Sequence, residues 1–166
     1  MLIGVVSDTH NDIAAIRKTV KFFNLRYVDL VLHCGDIFSP FAAKEFSGLN
    51  CGFKAVFGNN DIERAALENA ISEFGMISEE PFEFKAAGKL FIMTHRPLNT
   101  AATVLSGKYD YVLCGHSHKL SAENHGKTTV VNPGEACGRR YGRRTVAIID
   151  LIINHTEIFD LDDLVR

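Results

Sequence analysis

The sequence predicts an α/β fold in which two mixed β-sheets pack face to face with helices on the outside. Three features predict it. Short uncharged runs rich in β-branched residues recur, beginning at residues 2–6, and suit strands buried on both faces. Amphipathic helical stretches separate the first of these runs, as parallel strands with crossover helices require. In the second half, paired runs around Gly88, Gly126 and Asn154 bring hairpin signals instead.

Taken in order, residues 2–6 form the first strand. Asn11 or Asp12 caps a helix that carries Ile13, Ile16, Val20 and Phe23 on one face. Residues 28–32 are a second buried strand, running into His33-Cys34-Gly35-Asp36. Ser39 and Pro40 read as the N-cap and first position of a helix through Phe46. Residues 53–57 make a third strand, followed by Gly58-Asn59-Asn60-Asp61 and a helix over 65–71. Residues 82–86 and 90–93 pair around Gly88, and a helix near 99–106 leads to a strand at 111–114. Two more hairpins join 120–124 to 128–131 around His125-Gly126, and 145–151 to 153–159 around Asn154-His155. No repeat or linker interrupts the chain, so residues 1–166 are expected to be a single domain.

With 166 residues the chain can bury a substantial core without staples. Its net charge of −2 argues against a general nucleic-acid binder, which is usually basic over a whole face. No apolar run approaches the roughly 20 residues that span a bilayer, and no signal peptide is expected. The four cysteines, Cys34, Cys51, Cys114 and Cys137, include no Cys-x-x-Cys pair. Cys34 and Cys114 end apolar runs, as reduced buried thiols do, which predicts a cytoplasmic setting.

Each apolar run stops at the same few residue types. Asp8 and His10 are one residue apart, so an extended backbone points both the same way at the carboxyl end of a strand. The other strand ends carry Gly35-Asp36, Gly58-Asn59-Asn60-Asp61, Thr94-His95 and Gly115-His116-Ser117-His118. Glycines 35, 58 and 115 let the backbone turn tightly. Taken one at a time, Asp-x-His, His116 and His118 read as well as ordinary loop residues. Five such clusters at five strand ends suit two divalent ions sharing a bridging carboxylate. Nitrogen and oxygen donors without a thiolate favour manganese, iron, nickel, cobalt or zinc over calcium.

The ordered set Asp-x-His, Gly-Asp, Gly-Asn-x-Asp, Thr-His and Gly-His-Ser-His resembles the calcineurin-like metallophosphoesterase superfamily. The short length, Gly58-Asn59-Asn60-Asp61 and Asn132-Pro133-Gly134-Glu135 resemble its small prokaryotic phosphodiesterase branch. The resemblance runs from Leu2 to about Asp150 and implies a four-layer α/β/β/α sandwich. By position it implies that Asp8, His10 and His118 hold a first ion. Asn59, His95 and His116 hold a second, and Asp36 bridges both. Two ions roughly 3.5–4 Å apart would hold a bridging hydroxide for in-line attack on a phosphodiester. Manganese or nickel are the favoured ions, with iron, cobalt, zinc or magnesium as alternatives. The implied partner is a small-molecule phosphodiester, with no stable nucleic-acid or membrane binding; relatives are often homodimers.

Two departures from the family pattern bear on chemistry. Asn60 stands where many members have a histidine that serves the leaving group, and asparagine donates a hydrogen bond but is no general acid. That predicts a preference for activated diesters, and Asn60 counts as catalytic beside Asp36. Arg96-Pro97 follows His95 where a glycine is usual; Arg96 could reach a substrate phosphate or point into solvent. Arg139, Arg140, Arg143 and Arg144 surround Tyr141 and could take a nucleotide's second phosphate or base, or form a solvated loop. Glu135 is expected behind the ligands, Asp61 orienting its neighbours, His33 buried and hydrogen-bonded, His125 without a catalytic part, and His155 exposed in a turn. Phosphomonoesterase or nucleotide phosphatase activity is an alternative that Asn60 opposes. Action on long nucleic acids is opposed by the acidic balance. A non-catalytic scaffold, as in a retromer subunit of this fold, predicts missing ligands.

Overall fold

The computed structural model describes residues 1–97 and 100–163. Its elements in chain order are β1 (Leu2–Val6), α1 (Ile13–Leu25), β2 (Leu30–His33), α2 (Pro40–Lys44), β3 (Gly52–Val56), α3 (Arg64–Ile71) and β4 (Gly75–Ser78). There follow β5 (Phe82–Ala86), β6 (Lys89–Met93), α4 (Thr100–Leu105), β7 (Tyr111–Leu113), β8 (Ser121–His125), β9 (Thr128–Asn132), β10 (Thr145–Asp150) and β11 (His155–Asp160). One sheet has the order β11-β10-β1-β2-β3-β4, the other β5-β6-β7-β9-β8. Strands β1 to β4 run parallel, while β10 and β11 extend that sheet antiparallel. In the second sheet β6, β7 and β9 are parallel, with antiparallel β5 and β8 at the edges.

The side-chain alternation of each strand builds the layers. Val6, Val31, Phe53 and Ala55 face α1 to α3, where they bury Ile16, Phe23, Phe46, Leu67 and Ile71. Ile3, Val5, Leu30 and Leu32 face the second sheet and meet Phe91, Met93, Leu113 and Val131. On the far side of that sheet Ile92, Val112 and Val130 pack with Val104 of α4. The result is the α/β/β/α sandwich. Within the middle layer, Phe84, Phe91 and Tyr111 stack across three strands with centroids 5.1 and 4.8 Å apart.

Several boundaries differ from expectation. Strand β4 was not foreseen: Gly-Met-Ile-Ser is short, and only Ile77 is fully buried. Helix α2 ends at Lys44 and tightens into a 3₁₀ turn over Glu45–Gly48. His155 is exposed but opens β11 rather than lying in the turn, which closes at Asn154 with φ 51°. Asn99, where a helix was expected to begin, lies outside the described residues. Asp12 is the N-cap of α1, accepting from Ala15 N.

Gly4 lies on the helix-facing side of β1, and a Cβ there would stand 2.7 Å from the Phe23 ring. The close approach of α1 therefore depends on a missing side chain. Gly4→Ala is expected to cost about 1–3 kcal/mol by overpacking, read as a lower midpoint in thermal unfolding. An unchanged midpoint would mean that α1 can shift freely.

Candidate metal centre

The carboxyl ends of β1, β2 and β3 meet those of β6 and β7 at one edge of the sandwich, and backbone hydrogen bonds knit the loops together. Asp8 N donates to Gly35 O, His10 N to Asp36 O and Gly115 N to His95 O, each at 3.0 Å. The backbone here is not extended. Asp8, His10, Asp36, His116 and His118 all have positive φ, between 44° and 63°. The expectation that strand alternation aims Asp8 and His10 together is thus corrected: left-handed turns aim them. Such turns cost free energy outside glycine, and persist where surroundings fix them. The glycines also divide differently from expectation. Gly35 has φ 92°, but Gly58 and Gly115 matter for close approach. A Cβ at Gly58 would collide with Asp36, and one at Gly115 with Ser7 Oγ.

The seven expected ligands are brought together, with Asp8, Asp36 and His95 buried, His10, His116 and His118 half-buried, and Asn59 exposed. Asp36 Oδ2 lies 3.6 Å from His10 Nε2 and 3.4 Å from His95 Nε2, while Asp8 Oδ1 lies 3.6 Å from His10 Nε2 and 3.4 Å from His118 Nε2. Asp8, Asp36 and His95 offer donor atoms all within 4.8 Å of one another. Asn59 Oδ1 is 3.1 Å and His116 Nδ1 3.2 Å from His95 Nε2.

Tautomers follow from the partners. His95 Nδ1 sits 2.8 Å from Cys34 O, which can only accept, so Nδ1 carries the proton and Nε2 a lone pair. His118 Nδ1 likewise donates to Glu135 Oε2 at 2.7 Å. Lone pairs of imidazole, carboxylate and amide therefore face one another across a buried space. Asp8 Oδ1 and His10 Nε2 are both buried without a hydrogen-bond partner. Buried polar atoms are almost always satisfied, and a divalent cation is the partner that suits these. Among themselves the groups compensate in part. Asp8 draws the His10 pKa up. Burial pushes Asp8 up, but His10 and a hydrogen bond from Ser7 outweigh it and leave it below the usual value. Burial and neighbouring His95 and Arg96 hold His116 down.

Behind the ligands lies a buried framework. Asp61 accepts from Asp36 N, Gly58 N and Phe38 N at 2.9, 2.7 and 2.6 Å, orienting the loops as expected. Its carboxyl is pushed up by burial. His33 is buried, accepts from Gly35 N and meets Thr9 Oγ1 at 3.2 Å, and burial lowers its pKa to about 3. Asn60 binds both oxygens of Asp36, through its backbone and side chain, each at 2.8 Å. Two contributors were not foreseen. Glu80, exposed in the acidic pair before Pro81, accepts from His95 N and Arg96 N at 2.5 and 3.0 Å. Cys137, buried two residues after Glu135, has its sulfur within 4.8 Å of donor atoms of His10 and His118. Burial pushes its thiol up to about 11. All four cysteines are free.

The arginines separate. Arg96 and Arg139 are exposed beside the site; Arg96 adds to the lowering of His116, and Arg139 opposes a little the rise that Asp8 imposes on His10. Arg140 lies 5.7 Å from the Tyr141 ring centroid. Arg143 is paired with Asp160, and Arg144 with Asp162 and Asp12, so these two are not at the ligands. His125 pairs with Glu123 on the surface. Among the described residues no helix is long and apolar enough to cross a membrane.

Comparison with known proteins agrees with this fold. The model of the calcineurin-like phosphoesterase superfamily domain matches residues 1–152. A phosphodiesterase of Methanocaldococcus jannaschii is 40% identical over 161 residues, covering 90% of this chain and 93% of that one. A solved archaeal phosphodiesterase superposes with a TM-score of 0.90 at 36% identity, covering 96% of this chain and 99% of that one. The vacuolar protein sorting protein Vps29 of Entamoeba histolytica shares the fold alone, with a TM-score of 0.71 at 17% identity over 96% of this chain and 99% of that one.

Two measurements test the site. Manganese or nickel at about a hundredfold excess over its Kd should raise the thermal midpoint of chelator-treated protein by about 5–10 °C. Asp36→Asn should lose most of that shift; no shift in the wild type would remove the metal reading. Acid should also destabilise the fold through His33. Below about pH 6.5 an unfolded histidine takes up a proton that His33 refuses until about pH 3, so stability falls as pH drops through that window, at up to about 1.4 kcal/mol per unit. Denaturant titrations between pH 7.5 and 4 should show the slope, and His33→Asn should flatten it.

Proposed function

The chain belongs to the calcineurin-like phosphoesterase superfamily, and from that premise we propose that it is a divalent-metal-dependent phosphodiesterase with a two-ion site. One observation carries the two-ion reading: Asp36 Oδ2 stands between His10 Nε2 at 3.6 Å and His95 Nε2 at 3.4 Å, one histidine from each of the two ligand sets. Asp8, His10 and His118 would hold one ion and Asn59, His95 and His116 the other, with Asp36 within reach of both sets. When bound, two divalent ions neutralise a phosphoryl group and supply hydroxide near neutral pH.

The chain's own groups do the positioning. Cys34 O and Glu135 fix the rings of His95 and His118 so that Nε2 faces inward. Ser7 Oγ and His116 N hold Asp8 Oδ2 at 2.6 and 3.1 Å, leaving Oδ1 for the ion. Asn60 orients Asp36 and keeps a second amide N–H for a phosphoryl oxygen. Arg96 and Arg139 add positive charge at two sides of an anionic substrate. Manganese or nickel suits the nitrogen and oxygen donors, and four free thiols suit a cytoplasmic setting. The donor set is complete, which favours catalysis over the scaffold role.

Metal-loaded protein should cleave 4-nitrophenyl diesters in preference to 4-nitrophenyl phosphate, and Asp36→Asn or His116→Ala should lower turnover at least about 10²-fold. Asn60→His, which adds a group able to protonate a leaving oxygen, should raise monoester cleavage about tenfold or more. A wild type that prefers the monoester would sink the role given to Asn60.

A further inference from the structure

Beside the ion site, on the His118 side, a cleft of about 340 Å³ is lined by His118, Lys119, Leu120, Tyr141, Arg143 and Thr145. That volume lies within the range of small-molecule sites. Leu120 and Tyr141 are 41% and 46% exposed, so two large apolar side chains line a space that nothing among the described residues covers. Arg143 is neutralised by Asp160, whereas Lys119 makes no ion pair with any described residue. The cleft is tied to the site by one buried carboxylate. Glu135 Oε2 accepts from His118 Nδ1 at 2.7 Å, and Oε1 accepts from Tyr141 N at 2.6 Å and Arg140 N at 2.9 Å. The loop bends at Gly138 and Gly142, with φ 65° and 72°, so Glu135 fixes at once the inward ring of His118 and the wall that carries Tyr141.

A phosphodiester offers one anionic phosphorus and two ester arms. The ion site and Asn60 deal with the phosphorus, so only the arms can distinguish one diester from another. We propose that the cleft seats one of those arms and that this arm carries an aromatic ring, making the substrate a nucleoside-type phosphodiester. The ring lies against Tyr141 and Leu120, and Lys119 faces the arm's polar edge. The proposal rests on the phosphodiesterase reading and names the substrate class of that site. An alkyl arm gains nothing from Tyr141. A base gains stacking, worth about tenfold in affinity at an accessible aromatic ring.

The test compares thymidine 5′-(4-nitrophenyl phosphate) with methyl 4-nitrophenyl phosphate, which share a leaving group and differ in the retained arm. Manganese-loaded wild type should show a kcat/KM ratio of about ten or more in favour of the thymidine diester. Tyr141→Ala should bring the ratio close to one, and Tyr141→Phe should keep it. A ratio near one in the wild type, or one unchanged in Tyr141→Ala, overturns the proposal. Calorimetry with thymidine 5′-monophosphate and methyl phosphate separates it from the reading beneath it. If neither diester is cleaved but thymidine monophosphate binds about tenfold tighter, and Tyr141→Ala loses that margin, the phosphodiesterase reading fails and the cleft stands. Equal affinities overturn the cleft whatever is cleaved.

Discussion

The structure is organised by a repulsion it cannot relieve alone. Asp8, Asp36 and His95 are almost wholly buried with donor atoms within 4.8 Å of one another, and Asn59 and His116 turn lone pairs to the same space. In a medium poorer in water than the surface, such an arrangement opposes folding, because the hydrogen bonds from Ser7 and His116 N to Asp8 and from Asn60 to Asp36 satisfy the carboxylates only in part and bring no positive charge to offset theirs. The hydrogen bond with Asp8 draws the His10 pKa upward, the response of the site to that excess of negative charge. The rest of the protein holds these groups in place.

That holding falls to parts that bind nothing. Five left-handed turns on non-glycine residues at one edge would relax if each loop were free. Asp61 ties three backbone N–H groups from two loops, His33 ties two more loop groups, and Gly58 and Gly115 allow loops to touch where any Cβ would part them. The wide hydrophobic layer behind, in which both sheets contribute alternate residues of every central strand, fixes the strand ends from which the loops start. Strain at the site is sustained by burial elsewhere, as functional sites require.

How much of this the sequence carries differs by kind. Apolar runs with helical spacing between them carry the two sheets and most strands, because periodicity is a local property. Strand β4 escapes because Gly-Met-Ile-Ser is too short to show a period, and its place comes from pairing with β3. The donor residues are legible as types at strand ends, but their convergence is not. Alternation on an extended backbone is the wrong geometry for Asp8 and His10, whose turns depend on hydrogen bonds to Gly35 and Asp36 some 26 residues away. Glu80 leaves no local mark, since an acidic pair before a proline is ordinary until the fold sets it against His95 N. The arginine cluster reads as one patch in sequence and divides in space, because Arg143 and Arg144 find carboxylates near the end of the chain.

Glu135 shows why a site of this kind can keep its chemistry while its substrates change. Its carboxylate does two things: Oε2 fixes the ring of His118 and shares the Arg140 N–H with Oε1, which also accepts from Tyr141 N, so the surface loop is held by backbone N–H groups. Backbone donors are the same whatever side chains the loop bears. The residues at 139 to 143 can therefore vary without disturbing His118, and the shape of the neighbouring cleft varies with them. Replacing Glu135 itself would loosen both together, since a buried imidazole N–H and two backbone donors would lose their partner at once. The physical division of labour thus runs through a single carboxylate. The groups of the candidate site and their orienters are fixed by burial and mutual contact, while the side chains of the neighbouring loop are exposed on a backbone that is already held.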